Sequence, residues 1–124
     1  MEKIVFDTNI LIDISRGNSA ILNTIKKLAP KSLFISAITG GEFLNGARNK
    51  NELHLIQRHL NQYSILPLTS GISELFVELM NKYTLSHKPF VPDLLIAATC
   101  IQYNLPLYTS NVKDFRFITG LKLV

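Results

Sequence analysis

The sequence is poor in cysteine and in long apolar runs, and both absences narrow what the chain can be. Among its 124 residues Cys100 is the one cysteine, so an internal disulfide is excluded and a buried, reduced thiol is expected. The longest apolar run, Leu94 to Ile101, is far shorter than the roughly 20 residues that span a bilayer. The acids Glu2, Asp7 and Asp13 interrupt the segment where a secretory signal would lie. We therefore expect a cytoplasmic protein that makes no membrane contact.

Several catalytic signatures are also missing. The chain has no Walker loop, no zinc motif and no Ser/His/Asp signature, and its three histidines share no metal-ligand spacing. An apolar content of 47% is enough for one ordinary core, which predicts a single domain over residues 1–124. The 13 Lys and Arg against 9 Asp and Glu give a net charge of +4, which permits binding to a polyanion without establishing it.

Short apolar runs alternate along the chain with longer segments of helical periodicity. The runs predict strands at 4–6, 33–35, 65–68, 107–109 and 121–124. Apolar residues at steps of three and four predict helices between them, with Ser70 as the cap of the fifth and residues 93–103 as a buried sixth. This alternation predicts an α/β fold, a three-layer α/β/α sandwich whose central, mainly parallel sheet has about five strands.

Four acidic side chains stand where predicted strands end or the following helices begin. Asp7 directly follows the first strand, and Glu42 lies early in the helix after the second. Asp93 opens the buried helix, and Asp114 follows the strand near Thr109. Because ligands of such sheets bind beyond the carboxyl ends of the strands, we expect these acids to converge. Clustered carboxylates repel one another unless a cation binds, and Mg²⁺ and Mn²⁺ prefer oxygen ligands, so the cluster predicts metal-assisted phosphodiester hydrolysis.

Each acid also has a purely structural interpretation. Asp7 can cap the helix that follows it, and Asp93 can complement a helix dipole. The stretch from Thr39 to Glu42 matches a capping box, in which the glutamate only satisfies a backbone amide. Asp114 can be a turn residue. Taken singly, therefore, the position of an acid does not assign it to catalysis.

Basic side chains form a second candidate set. As a group they can hold RNA phosphates, although any one of them alone is most simply a solvated surface charge. They are Arg16, Arg48, Arg58, Lys113 and Arg116.

Four motifs taken together resemble the PIN-domain family. They are VFDTNILI at 5–12, ISAITGGEF at 35–43, PDLLIAA at 92–98 and YTSNVKDF at 108–115. They follow the family's order from end to end, and within the family they are most similar to VapC-type toxins. The resemblance implies a metal-dependent endoribonuclease that hydrolyses RNA, with tRNA or rRNA as its target. It also implies a cognate VapB-like antitoxin and a homodimer.

The same resemblance implies roles for individual residues. Asp7, Glu42 and Asp93 would bind Mg²⁺ or Mn²⁺, with Asp114 as a fourth catalytic acid. Supporting hydrogen bonds would come from Thr8, Asn9, Thr109 and Asn111. Many family members carry aspartate at the position of Asn111, so the fourth acid of this chain is either Asp114 or absent, and the number of metals stays open at one or two.

Other families with an acid pocket on a doubly wound sheet are disfavoured. A receiver domain needs a pair of acids after its first strand, where Asp7 stands alone, and a phosphorylatable aspartate after its third, where this chain has Leu68. A phosphatase of the haloacid dehalogenase type needs Asp-x-Asp, whereas this chain has Asp7 followed by Thr8 and Asn9. Two alternatives within the PIN family stay open, a housekeeping RNA-processing nuclease without antitoxin and a non-catalytic RNA-binding module.

Overall fold

The computed structural model describes residues 2–124. The strands that it forms there are β1 (Lys3–Phe6), β2 (Ser32–Ser36), β3 (Ser64–Leu66) and β4 (Leu107–Tyr108). The helices are α1 (Thr8–Ser15), α2 (Ser19–Leu28), α3 (Ala37–Asn45), α4 (Lys50–Leu60), α5 (Ser70–His87) and α6 (Val91–Tyr103), and a short 3₁₀ turn covers Val112–Asp114. The alternation of strands and helices predicted from the apolar pattern is confirmed.

The sheet is parallel throughout and has the order β3-β2-β1-β4. Val5 of the central strand β1 pairs with Phe34 of β2 on one side and with Leu107 of β4 on the other. Ile4, Val5 and Phe6 are all buried. Burial on both faces is typical of a parallel strand between two helical layers, so the predicted sandwich is confirmed.

The sheet has four strands in place of the five or so that the sequence predicts. The expected fifth strand, 121–124, forms only an isolated parallel bridge between Leu123 and Leu107. Because β4 is itself two residues long, it offers too short an edge for a further ladder. The third strand ends at Leu66 and not at Leu68, since Pro67 has no backbone N–H to donate to a neighbouring strand.

Apolar side chains fill both faces of the sheet. Val5 packs in the cluster formed with α5 and α6, while its neighbours Ile4 and Phe6 point to the opposite cluster, formed with α1, α3 and α4. Helix α6 is buried along most of its length, as its uniformly apolar sequence predicts. Its Cys100 is a free, buried thiol, and burial raises the pKa of that thiol to about 12.

Two helix starts differ from the sequence predictions. The cap of α5 is Thr69 and not Ser70, because the Thr69 hydroxyl accepts a hydrogen bond from the Ile72 backbone N–H at 3.2 Å. Helix α6 begins at Val91, two residues before Asp93, with Pro92 in its first turn, where a missing N–H costs nothing. No helix in residues 2–124 is both long and apolar enough to cross a membrane.

Candidate active site

Asp7 lies at the carboxyl end of the central strand. It follows β1 directly, and its backbone N–H donates to the Tyr108 carbonyl of the neighbouring β4 at 2.9 Å. This inter-strand hydrogen bond fixes the backbone of Asp7 against the loop that carries Thr109 and Ser110. The Asp7 residue is only 5% exposed. The sheet therefore places this acid in a buried position at its edge.

Both carboxylate oxygens of Asp7 accept hydrogen bonds. Oδ1 accepts from the Thr8 backbone N–H at 2.8 Å, which makes Asp7 the cap of α1, and Oδ2 accepts from the Thr109 hydroxyl at 2.7 Å. The Thr109 hydroxyl in turn accepts from the Asn111 backbone N–H at 3.0 Å. Asp7 thus caps α1 and at the same time has its carboxylate held in a fixed orientation. Burial raises the pKa of Asp7, the hydrogen bonds from Thr109 and Thr8 lower it, and the charges of Glu42 and Asp114 raise it, with a net rise.

Glu42 faces Asp7 from α3. The capping-box interpretation of Glu42 is wrong, because α3 begins at Ala37 and its cap is Ser36, whose hydroxyl accepts from the Thr39 backbone N–H at 3.0 Å. With the cap one turn earlier than the sequence suggested, Glu42 lies inside the helix and is free to reach across to α1. Its Oε1 accepts from the Thr8 hydroxyl at 2.7 Å.

Two buried hydroxyls behind Glu42 were missed by sequence reasoning. Thr39 and Ser36 are fully buried, with Thr39 Oγ1 lying 3.2 Å from Thr8 Oγ1 and 3.4 Å from Ser36 Oγ. Thr8 has one hydroxyl proton and donates it to the Glu42 carboxylate, so the proton on the Thr8–Thr39 contact must come from Thr39. The hydroxyls form a directed chain that ends on Glu42. The sequence signal, Ser-x-x-Thr before a helix, indicates only a cap.

Asp93 approaches the site from the first turn of α6. Its position in the first turn also fits the helix-dipole interpretation, which is compatible with a place in the acidic site. Burial raises the pKa of Asp93 to about 6, with further contributions from the negative charges of Asp7, Asp114 and Glu42 in that order. The charges of Glu42 and Asp114 thus act on both Asp7 and Asp93, so the four predicted acids lie near one another, as the strand-end argument requires. In the described part of the chain no hydrogen bond reaches the carboxylate of Asp93 or Asp114.

The two predicted asparagines are placed differently. Asn9 Oδ1 lies 3.5 Å from the Ser110 backbone N–H, a long contact between α1 and the loop after β4. Asn111 acts through its backbone, donating to the Thr109 hydroxyl and accepting from the Asp114 N–H at 2.9 Å. Its side chain makes no hydrogen bond within residues 2–124, so a side-chain role for Asn111 stays a prediction.

The predicted basic residues do not form one cluster. Lys113 and Arg116 line a pocket beside Asp93 and Asp114, whereas Arg16 and Arg48 line a groove beside Glu42, between α1, α3 and α4. Arg48 is also committed to an ion pair with Glu52, N to O 2.8 Å. Only part of the set is therefore available to a substrate near the acids.

The donor set of the site fits a hydrated divalent cation. The ion pairs within residues 2–124 are Lys31 with Glu2 and Arg48 with Glu52, so none neutralises the four acids. Across those same residues, no three His, Cys, Asp or Glu side chains are grouped closely enough to hold one metal ion together. Mg²⁺ is commonly bound by one or two carboxylates and keeps several waters, which suits an unneutralised set of this spacing.

Comparison with known proteins agrees with this architecture. The PIN domain matches residues 4–119, almost the whole chain. The chain belongs to the PIN-domain family. The family resemblance inferred from the four sequence motifs is confirmed, and those motifs all fall within the matched part of the PIN domain.

Proteins similar to this PIN domain include a ribonuclease and a toxin-antitoxin complex. It is 34% identical to Ribonuclease VapC of Rickettsia bellii, covering 98% of this chain and 94% of that protein. It is similar to a toxin-antitoxin complex from Klebsiella pneumoniae, with 33% identity, a TM-score of 0.80 and coverage of 95% of this chain and 94% of that one. It is also similar to VapBC-1 from nontypeable Haemophilus influenzae, with 26% identity, a TM-score of 0.83 and coverage of 98% and 96%.

Proposed function

We propose that this PIN domain is a metal-dependent endoribonuclease that hydrolyses RNA phosphodiester bonds. The observation that carries the proposal is the edge of the sheet around Asp7, where the four acids lie near one another and no basic side chain is paired to them in residues 2–124. Its similarity to a protein named Ribonuclease VapC supports the choice of RNA as substrate. Asp7 and Asp93 would contact a hydrated ion directly, Glu42 would reach it through one of its waters, and Asp114 is the fourth acid of the site.

The cation that fits this site is Mg²⁺ or Mn²⁺. When bound, it supplies positive charge against the phosphate oxygens and makes an attacking water more acidic. The chain's own residues supply orientation. Thr8 and Thr109 hold the Asp7 carboxylate in one direction, and Thr8 holds Glu42. Because neither hydroxyl nor backbone N–H reaches Asp93 in the described chain, this carboxylate stays free to turn toward cation or water.

The biological role that we propose is that of the toxin in a toxin-antitoxin pair, acting in the cytoplasm on tRNA or rRNA. A VapB-like antitoxin would inhibit it, and the toxin would form a homodimer. The support is the similarity to solved VapBC and toxin-antitoxin complexes. A housekeeping nuclease would share the chemistry but would lack the antitoxin partner.

The test compares purified wild-type protein with Asp7→Asn on tRNA and total RNA, with Mg²⁺, with Mn²⁺ and with a chelator. Asparagine keeps the size of Asp7 and can still accept from the Thr8 N–H, but it loses the charge. We expect cleavage to need the metal and to fall at least about a hundredfold in Asp7→Asn, since even residues behind metal ligands are worth roughly 10–100-fold.

A matched control is Asp13→Asn, the same chemical change within the helix that Asp7 caps but outside the acidic cluster. This variant should cleave RNA as the wild type does. Discrete fragments support a site-specific toxin, whereas general degradation supports a processing nuclease. Equal activity of Asp7→Asn and wild type would overturn the site, and no cleavage by folded, antitoxin-free protein would favour a non-catalytic RNA-binding module.

A further inference from the structure

A pocket of about 290 Å³ adjoins the acidic edge on the side of the α5–α6 loop. Asp93 and Asp114 form one wall of this pocket, so it opens directly onto the acids proposed to act in cleavage. The other walls come from the loop after α5 and from the segment that follows the 3₁₀ turn. None of the hydrogen bonds that orient Asp7 and Glu42 involves these walls.

The rim of the pocket is basic. Lys88 comes from the α5–α6 loop, and Lys113 and Arg116 come from the 3₁₀ turn and the residues after it. All three are exposed, and none takes part in an ion pair within residues 2–124, not even with Asp93 or Asp114 in the same pocket. Three unpaired cations beside an acidic site can hold the phosphates of a polyanion while the acids hold a metal ion.

The pocket also presents an unpartnered aromatic ring. Phe90 is 69% exposed and lines the pocket, and no aromatic pair in the described chain includes it. His87 and Phe117 line the same pocket but are already stacked on each other, with ring centroids 4.1 Å apart and planes at 12°. Phe90 therefore has a free face, whereas its two aromatic neighbours form a packed support.

We infer that this pocket binds one nucleotide of single-stranded RNA beside the bond to be cut, with its base on Phe90 and its phosphate on Lys88, Lys113 and Arg116. This inference rests on the proposed ribonuclease function. Exposed aromatic rings with neighbouring basic residues are how proteins hold single-stranded nucleic acid. Ligand pockets usually measure roughly 300–1,000 Å³, so this one is at the small end and suits a single nucleotide better than a peptide helix.

The experiment measures binding of a fluorescein-labelled single-stranded RNA by anisotropy in the Asp7→Asn protein, which leaves the RNA intact. Adding Phe90→Leu should weaken binding about tenfold with an unchanged salt dependence, because stacking is lost while the charges stay. Phe90→Trp should restore it. Adding Arg116→Gln should weaken binding and make the slope of log K against log salt shallower by about 0.7, as expected for one lost phosphate contact on a single strand.

Matched controls are Val77→Ala, which trims another exposed apolar side chain, and Lys27→Gln, which removes an exposed charge on α2, outside the pocket. Both should bind RNA as the parent does. In the cleaving protein, Phe90→Leu should raise KM more than it lowers kcat.

Two results would overturn the inference. The first is unchanged RNA binding and KM in both Phe90→Leu and Arg116→Gln. The second is a change of oligomeric state in Phe90→Leu, which would assign the ring to an interface between copies. Failure of the proposed function is distinct, since the wild type would then cleave no RNA whatever the pocket binds.

Discussion

Asp7 and Asp93 carry the same side chain at the same edge of the sheet, yet the fold holds them differently. Asp7 is buried, its backbone is bonded to β4, and both of its oxygens accept hydrogen bonds. Asp93 is half-buried, and in residues 2–124 no donor reaches its carboxylate. At Asp7 two hydrogen bonds partly offset the free-energy cost of burying the negative charge. At Asp93 no hydrogen bond does so, and only a bound cation or protonation of the carboxylate can offset that cost.

This contrast suggests that Asp7 and Asp93 play different roles in metal binding. A carboxylate whose two oxygens are already oriented is preorganised for a ligand, so less conformational entropy is lost when the ligand binds. A carboxylate without hydrogen bonds can rotate to complete the coordination of a hydrated ion. We therefore regard Asp7 as the fixed ligand and Asp93 as the adaptable one, and three substitutions test the distinction.

The largest effect is expected for Thr109→Val. The change keeps the volume but removes the donor to Asp7 Oδ2 and the acceptor of the Asn111 N–H. Loss of such a supporting hydrogen bond should lower metal affinity and cleavage roughly 10–100-fold, and two unsatisfied groups should reduce the free energy of unfolding by about 1–3 kcal/mol. Metal titration of cleavage and urea unfolding measure the two effects. Thr109→Ser should retain most activity, and a Val variant equal to wild type would show that Asp7 needs no such support.

An intermediate effect is expected for Asp93→Asn in metal-free protein. The pKa of Asp93 is raised from 3.8 to about 6 in the folded state, so the folded chain binds more protons than the unfolded chain between these values. Its contribution to stability is therefore present below about pH 4 and is lost as the pH rises through 6. The variant, which has no charge to bury, should be more stable than wild type above pH 6 by about 1 kcal/mol after allowance for solvent screening.

Thermal unfolding with a chelator, from about pH 4 to 8, measures the difference between the two proteins. The stability difference between Asp93→Asn and wild type should grow with pH up to about 6 and then level off. Mg²⁺ should reverse its sign near neutral pH, because the ion stabilises the protein that binds it more tightly. A difference that does not depend on pH would show that neither burial nor the neighbouring acids raise the pKa of Asp93.

The smallest effect is expected for Thr39→Val. The hydroxyl of Thr39 lies between Ser36 and Thr8, behind the bond from Thr8 to Glu42 and away from Asp7. Because Thr8 can still donate to Glu42, cleavage should change by less than about threefold, and the free energy of unfolding should fall by about 1 kcal/mol. The control is Thr99→Val, which removes a buried hydroxyl bonded only to the Leu95 carbonyl. A tenfold loss of cleavage in Thr39→Val alone would place Thr39 with Thr109 as a positioning residue.

Much of the fold could be predicted from local patterns. The uniformly apolar sequence of α6 predicted its burial, and the acid after β1 predicted a polar group at the sheet edge. The predictions were wrong where one local sequence pattern is compatible with two different structures. The helix near Glu42 is capped by Ser36, one turn before the predicted cap Thr39. The apolar segment 121–124 forms only an isolated bridge with Leu107 and no strand. Four of the five predicted basic residues divide between two surfaces, and Lys88, which the sequence did not single out, lines one of these surfaces.

The sequence by itself determined the parallel alternation of strands and helices and the identity of the acids, because periods of two and 3.6 residues and strand-end positions are encoded by near neighbours. Tertiary structure alone decided how each acid is held. Thr109 is 102 residues from the Asp7 that it orients, and the two meet only because β1 pairs with β4. The unpaired state of Lys88, Lys113 and Arg116 beside Phe90 likewise depends on two distant loops folding against one helix end.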